Sequence, residues 1–225
     1  MHAYPNAFPA TLDVDYPDRE LNRLTSAFRI FTAIPIMIIL ALVSGPQRGS
    51  GAHGSQPGFM LAAGGLIFVP AVLMLVFVRR YPRWWFDWNL ELTRFSTRVA
   101  AYVALLRDEY PSADDEQAVH VALPYPDAER DLNRWLPLVK WLLAFPHYIV
   151  LVLVILASVG CVVMAWFAIL FTGRYPRPLF NFVVGTLRWV FRVAAYAFLL
   201  TTDQFPPFSL SAGPRDAQSH PGMLQ

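Results

Sequence analysis

The chain has 225 residues, of which 56% are hydrophobic and only 15% charged, and its net charge is +2. That charged share lies well below the quarter or so usual in soluble domains and points to an integral membrane protein, while so small a net charge offers no basic field for nucleic acid. A single cysteine, Cys161, and a single lysine, Lys140, exclude an intrachain disulfide, a cysteine metal cluster and most lysine chemistry.

In chain order, Thr11-Leu12-Asp13-Val14-Asp15 alternates apolar and acidic residues and predicts one short strand. Asp18 reads as the cap of a helix that enters the hydrocarbon at Leu24 and leaves at Val43. Arg29 sits one turn inside this span, positioned to snorkel back to the headgroups, and Pro35 should kink it. The first apolar run lies behind an acidic stretch, unlike a signal peptide. Residues 44–58 form a Gly/Ser/Pro-rich loop, and 59–78 carry no charge, so 24–78 reads as a transmembrane helical hairpin. The basic junction Arg79-Arg80-Tyr81-Pro82-Arg83 then leads into an amphipathic helix over 84–106. Asp108 to Gln117 is acidic and polar, and 111–124 is assigned as a linker.

The second half repeats the first. Tyr125-Pro126 answers Tyr16-Pro17, Leu132-Asn133-Arg134 answers Leu21-Asn22-Arg23, Lys140 answers Arg29, and Pro146 answers Pro35. A second basic junction, Arg174-Tyr175-Pro176-Arg177, opens a second amphipathic segment over 178–200. Both segments close on the same line, Arg98-Val99-Ala100-Ala101-Tyr102 and Arg192-Val193-Ala194-Ala195-Tyr196. Matched basic residues and prolines in register indicate duplication. The second copy lacks the long loop, so 136–172 is expected to be a hairpin turning near Ala157-Ser158-Val159-Gly160. The rival is one helix from Leu136 to Phe171, about 54 Å long against a hydrocarbon core of about 30 Å.

Asp87, Glu91, Arg94 and Arg98 fall on one helical stripe, with Asn181, Gly185, Arg188 and Arg192 at the matching positions. A narrow polar stripe on a Trp-rich apolar helix predicts a helix lying in a membrane interface. The expected fold is therefore an all-α integral membrane protein of two tandem repeats, 1–110 and 125–210. Each is a transmembrane hairpin followed by an interfacial helix, with four spans in total (six if the amphipathic segments also cross), and 211–225 is a disordered tail. With both hairpins opening to one side, 17 of the 18 basic residues gather there, so both termini are placed in the cytoplasm.

The line Ala165-Trp166-Phe167-Ala168-Ile169-Leu170-Phe171-Thr172-Gly173-Arg174-Tyr175-Pro176-Arg177 is distinctive, as are Phe145-Pro146-His147-Tyr148 and the closing Phe205-Pro206-Pro207-Phe208-Ser209-Leu210. Together they resemble the bacterial membrane proteins grouped as domain of unknown function 4389, best from Leu132 to Leu210. The first half departs from that pattern in its long loop and in Ile36 where the second half has His147. The resemblance implies a bacterial inner-membrane setting and carries over no catalytic residue.

Two constellations could carry function. Arg79, Arg80, Arg83, Arg174 and Arg177 cluster at headgroup level, and Arg94, Arg98, Arg188 and Arg192 line the stripes. These nine are candidate contacts for anionic lipid or a protein partner, against a plainer role as topology anchors. His147 is the only histidine within an expected span, a candidate haem or metal ligand or proton-relay member, against a plainer role as a packing histidine bonded to a nearby Tyr or backbone group. No catalytic residue, metal site or cofactor is expected. The expected function is a non-catalytic structural or accessory module that binds membrane lipid, an unknown protein partner or a second copy of itself. The alternatives are a small transporter or channel, or a redox accessory subunit using His147.

Overall fold

A computed structural model describes residues 8–17, 19–44, 74, 81–112, 117–126, 132–133 and 135–212. The expected span at 59–78 (Met74 apart), the loop at 45–58, Asp18, Arg79, Arg80, Arg134 and the tail from 213 lie outside them.

The described chain is largely helical, with one correction to the all-α expectation: a two-stranded antiparallel ribbon. β1 (Thr11–Val14) pairs with β2 (Val119–Ala122) in the register Leu12↔Val121 and Val14↔Val119. Strand alternation turns those four apolar residues to one face, where all are buried, and Asp13 and His120 to the other. β2 falls within 111–124, the stretch expected to be a linker.

Asn22 caps α1 (Arg23–Ala27), its side chain accepting from the Leu24 and Thr25 amides. After Phe28 the chain continues as α2 (Arg29–Ser44), which contains Pro35. α3 (Arg83–Val103) follows the first basic junction. α4 (Leu136–Leu143) is separated by Ala144 from α5 (Phe145–Thr172), and α6 (Arg177–Ala197) follows the second junction. Both amphipathic helices end alike, on left-handed leucines at Leu105 (φ 62°) and Leu200 (φ 58°). A left-handed Leu costs about 1–2 kcal/mol, and burial of both side chains offsets it.

The hairpin expected over 136–172 does not form. α5 passes straight through Ala157–Gly160, and its 28 residues span about 42 Å. One glycine in an otherwise strong apolar helix costs only about 1 kcal/mol, too little to break it. The interruption falls instead at Ala144, just ahead of Pro146, which lacks an amide and crowds the carbonyl four residues back. The expectation that nearly all basic residues share one side rested on that hairpin and loses its support.

The elements stack in layers. The apolar face of the ribbon lies on α3 and α6, β2 against α3 and β1 against α6. Beneath them, α2 packs on α3, and α4 and α5 on α6. On α6, Trp189, Val193 and Ala197 meet Ala144 and Leu151, while Arg188 lies on the opposite side toward the ribbon. α6 is thus enclosed rather than laid on a surface as expected for 178–200: thirteen of its residues are buried, from Phe180 to Ala197. α5 buries only a seam of His147, Leu151, Ser158, Ala165 and Ile169. Its other faces expose Leu153 (64%), Leu156 (64%) and Phe171 (79%). The run Leu136–Thr172 is long and apolar enough to cross a membrane.

Candidate functional site

The polar residues converge on three kinds of contact, and most occur once in each half of the chain.

The first is a buried cation latch. Arg29 and Lys140 are 2% and 0% exposed, so each needs a counter-charge, and each finds an aspartate just after an amphipathic helix. Arg29 pairs with Asp108 and donates to the Tyr102 carbonyl. Lys140 pairs with Asp203 at 2.6 Å and donates to the Thr202 carbonyl. Each cation also lies near the ring that ends the repeated line, Arg29 over Tyr102 at 4.3 Å and Lys140 over Tyr196 at 5.4 Å. The other carboxylate oxygen accepts a backbone amide from the helix entry, Asn22 to Asp108 at 2.7 Å and Asn133 to Asp203 at 2.6 Å. Arg29 therefore does not snorkel outward; it ties the start of α2 to the chain leaving α3. Asp108 and Asp203 were not singled out from sequence, although both stand in an Asp-x-aromatic-Pro line, Asp108-Glu109-Tyr110-Pro111 and Asp203-Gln204-Phe205-Pro206.

The second is a set of arginine ties on the expected stripe. Arg94 donates to the Val121 carbonyl on β2 at 3.3 Å, and Arg188 to the Leu12 carbonyl on β1 at 2.9 Å. Leu12 and Val121 are register partners, so the two arginines grip opposite strands at one level. Arg188 also pairs with Asp13 at 3.0 Å. Arg98 donates to the Ser112 carbonyl at 2.7 Å, and Arg192 to those of Ser209 and Ser211 at 3.4 and 3.2 Å. Arg188 and Arg192 are 7% and 3% exposed. They face the interior, not lipid or a partner, because backbone carbonyls of β1 and the C-terminal segment satisfy their guanidinium groups.

The third contact crosses between the halves. Tyr16 donates its hydroxyl to the Tyr175 carbonyl, and Tyr125 to that of Tyr81. Tyr16 packs edge-on against Phe180 at 5.0 Å, and Tyr125 against Phe86 at 5.2 Å. Arg177 covers the Tyr16 ring at 4.9 Å and Arg83 the Tyr125 ring at 5.4 Å. Burial pushes the Tyr81 and Tyr175 hydroxyls well above the usual tyrosine range, helped by the neighbouring Tyr125 in one case and Cys161 in the other. Among the nine candidate arginines, Arg83, Arg174 and Arg177 are the exposed ones within the described residues. Exposed Trp84 adjoins Arg83, exposed Trp135 precedes α4 and exposed Trp141 lies within it. Arg174 is paired loosely with Glu20 at 3.5 Å.

His147 is fully buried. Its Nδ1 accepts the Trp189 indole N–H at 3.3 Å, and its ring stacks on Phe208 at 3.9 Å, with Phe205 at 4.8 Å. The partner is a tryptophan rather than the tyrosine or backbone group named from sequence. With Nδ1 accepting, the proton sits on Nε2, which has no partner in this aromatic box. Among the described residues no group of three His, Cys, Asp or Glu side chains is placed to hold a metal ion. The arrangement as a whole clamps loops and strands to helices.

No curated protein and no solved structure matches this chain. Where two tandem copies were expected, a single family match is found; it covers α4 to α6 and their C-terminal cover, with residues 135–209 matching DUF4389, a domain of unknown function.

Proposed function

We propose that the protein is a non-catalytic accessory module of a bacterial cytoplasmic membrane, built from two copies of one unit, that holds anionic lipid or a protein partner at its basic, cytoplasmic edge. The observation carrying the membrane reading is α5, whose exposed surface is apolar along its whole length, Leu153, Leu156, Phe167 and Phe171 included. A helix left this apolar in water would form a patch far larger than soluble monomers usually expose. The two-copy reading draws support from paired contacts: Arg29–Asp108 beside Lys140–Asp203, and Arg94 on Val121 beside Arg188 on Leu12. β1, from the first copy, packs on α6 of the second, and β2, from the stretch between the copies, packs on α3 of the first.

Among the described residues the contact with anionic lipid narrows to the exposed Arg83, Arg174 and Arg177, since Arg188 and Arg192 are spent on backbone carbonyls. Exposed Trp84 beside exposed Arg83 is the composition of a headgroup belt. The test is flotation of the full chain with vesicles of phosphatidylcholine alone and of phosphatidylcholine mixed with phosphatidylglycerol. Arg83→Gln, Arg174→Gln and Arg177→Gln together should weaken the preference for the mixed vesicles by about 1 kcal/mol per charge removed. Denaturation midpoints of the same variants separate this from a folding defect. Equal binding to both vesicle types by the unaltered chain would sink the anionic-lipid claim and leave only apolar anchoring.

A further inference from the structure

An apolar helix of this length is ordinarily read as crossing the bilayer, but what lies level with its middle argues otherwise. Ser158, at the centre of α5, donates to Thr186 on α6 at 2.7 Å. Two residues further on, Arg188 holds Leu12 and Asp13 of the ribbon. Toward one end of α5, Trp166 donates to the Ser26 carbonyl beside the Arg29 latch; at the other, Ala144 and His147 pack beside the Lys140 latch. The ribbon therefore stands over the midpoint of α5, on the far side of α6.

If α5 lay along the membrane normal, the ribbon would sit at mid-bilayer. Among the described residues no third strand joins these two, and although arginines reach the Leu12 and Val121 carbonyls, a two-stranded ribbon lacks the closure that spares a sheet unpaired edges in lipid-exposed hydrocarbon. Polar side chains at the same level are also exposed: Glu91 at 56%, His120 at 47% and Asp15 at 32%. A carboxylate at the bilayer centre costs about 2.5–3.5 kcal/mol even on lenient scales.

The layering offers the alternative. The ribbon's polar face and the exposed face of α5 are on opposite sides of the α3–α6 layer. α2 shares the α5 layer and exposes Phe31 (67%), Ile34 (50%) and Ile38 (55%). Exposed Arg174 and Arg177 stand where α5 ends, and exposed Arg83 and Trp84 where α3 begins, so cationic groups are available to anionic headgroups at the edge of this apolar face. We infer that α5 does not cross the membrane but lies in the plane of one leaflet, with α2 beside it and the ribbon held up in water. This rests on the membrane reading above and adds its geometry: both ends of α5 are on one side.

The experiment reads depth. In a Cys161→Ala background, single cysteines at Ile149, Leu156 and Phe167, all exposed, carry a fluorophore in the full chain reconstituted into phosphatidylcholine–phosphatidylglycerol vesicles. Lipids brominated near the headgroup or near the chain end quench according to depth. The sites span about 27 Å along a helix, so crossing would place Leu156 deep and the other two shallow on opposite sides. Lying in the plane places all three about 5–10 Å below the headgroups. The expected result is equal quenching by the shallow lipid at every site and loss of deep quenching at Leu156. Strong deep quenching confined to Leu156 overturns the inference and keeps the membrane reading. No quenching in a chain that fails to float overturns the membrane reading itself. No quenching in a chain that floats as a cross-linkable dimer overturns the inference in favour of a second copy covering α5.

Discussion

α3 and α6 are alike in length and pattern but lie under different cover. Each has 21 residues, follows a Tyr-Pro junction, carries two arginines four apart and ends on a left-handed leucine. α3 buries five residues, Phe86, Thr97, Val99, Ala101 and Tyr102, whereas α6 buries thirteen. α4 and α5 cover one side of α6, and one stripe position lets in further cover on another. At Gly185 a Cβ would lie 2.7 Å from the Leu210 carbonyl oxygen, so glycine lets the C-terminal segment cross close over α6. The matching residue on α3 is Glu91, whose charged side chain stands out from the helix. The comparison teaches that a polar stripe on an apolar helix does not by itself identify a wet face: the arginines on α6 are covered, and those on α3 are only partly so.

The largest expected effect breaks that comparison at the arginines. Arg188→Met removes the partner of Asp13, which is itself only 14% exposed at the side chain, and the donor to the Leu12 carbonyl. Breaking a buried pair from one side costs about 3–5 kcal/mol. Arg94→Met removes a pair with Glu91 in which both side chains are more than a third exposed. An exposed pair contributes about 0.2–1 kcal/mol, and the lost bond to Val121 adds about 1 kcal/mol. Denaturation midpoints in detergent should therefore fall far more for Arg188→Met than for Arg94→Met. Equal losses would mean that the two stripes are equally buried and that the two helices do not differ as described.

A smaller effect sharpens the cause. Gly185→Ala forces a methyl into the Leu210 backbone, which cannot rotate away as a side chain could, and overpacking of this kind costs about 1–3 kcal/mol. Glu91→Ala loses only its exposed pair with Arg94 and should cost about 0.2–1 kcal/mol. Proteolysis of the 205–211 segment reports the same event independently, since it should quicken in Gly185→Ala alone. A neutral Gly185→Ala would leave the burial of α6 to something other than this close crossing.

The helices were legible because their signal is local. Amphipathic spacing placed 84–106 and 178–200 within a few residues of α3 and α6, and Thr11–Asp15 alternated clearly enough to foretell β1. The rest depended on contacts between distant stretches. Val119-His120-Val121 alternates as Leu12-Asp13-Val14 does, but it is short, follows an acidic polar stretch read as a linker, and finds its partner in the other half of the chain. The roles of Arg188 and Arg192 were misread because their acceptors are main-chain carbonyls, which leave no mark in a sequence. The latch aspartates did leave a mark, the recurring Asp-x-aromatic-Pro, but it lay outside the stretch where the repeat is most obvious. The turn expected in 157–160 came from equating a missing loop with a tight turn, when the second half simply continues there as one helix.

The smallest expected effect compares the two helix entries. Asn22 accepts from the Leu24 amide at 3.0 Å and the Thr25 amide at 3.4 Å, the geometry of an N-cap. Asn133 accepts from Trp135 at 3.1 Å, and the helix there begins only at Leu136. Both residues also donate their backbone amides to the latch aspartates, and alanine keeps those bonds. Asn22→Ala should therefore lose the cap alone, about 1 kcal/mol, and leave the Arg29–Asp108 pair in place. Asn133→Ala loses one exposed turn bond, worth about 0.5–1 kcal/mol, because no capped amide pair depends on it. Combining Asn22→Ala with Asp108→Asn isolates the remaining term. If cap and latch act separately, the two losses add within about 0.5 kcal/mol. A combined loss well short of the sum would mean that Asn22 acts mainly by positioning its backbone amide for Asp108, and the same double change at Asn133 and Asp203 should then show the same shortfall.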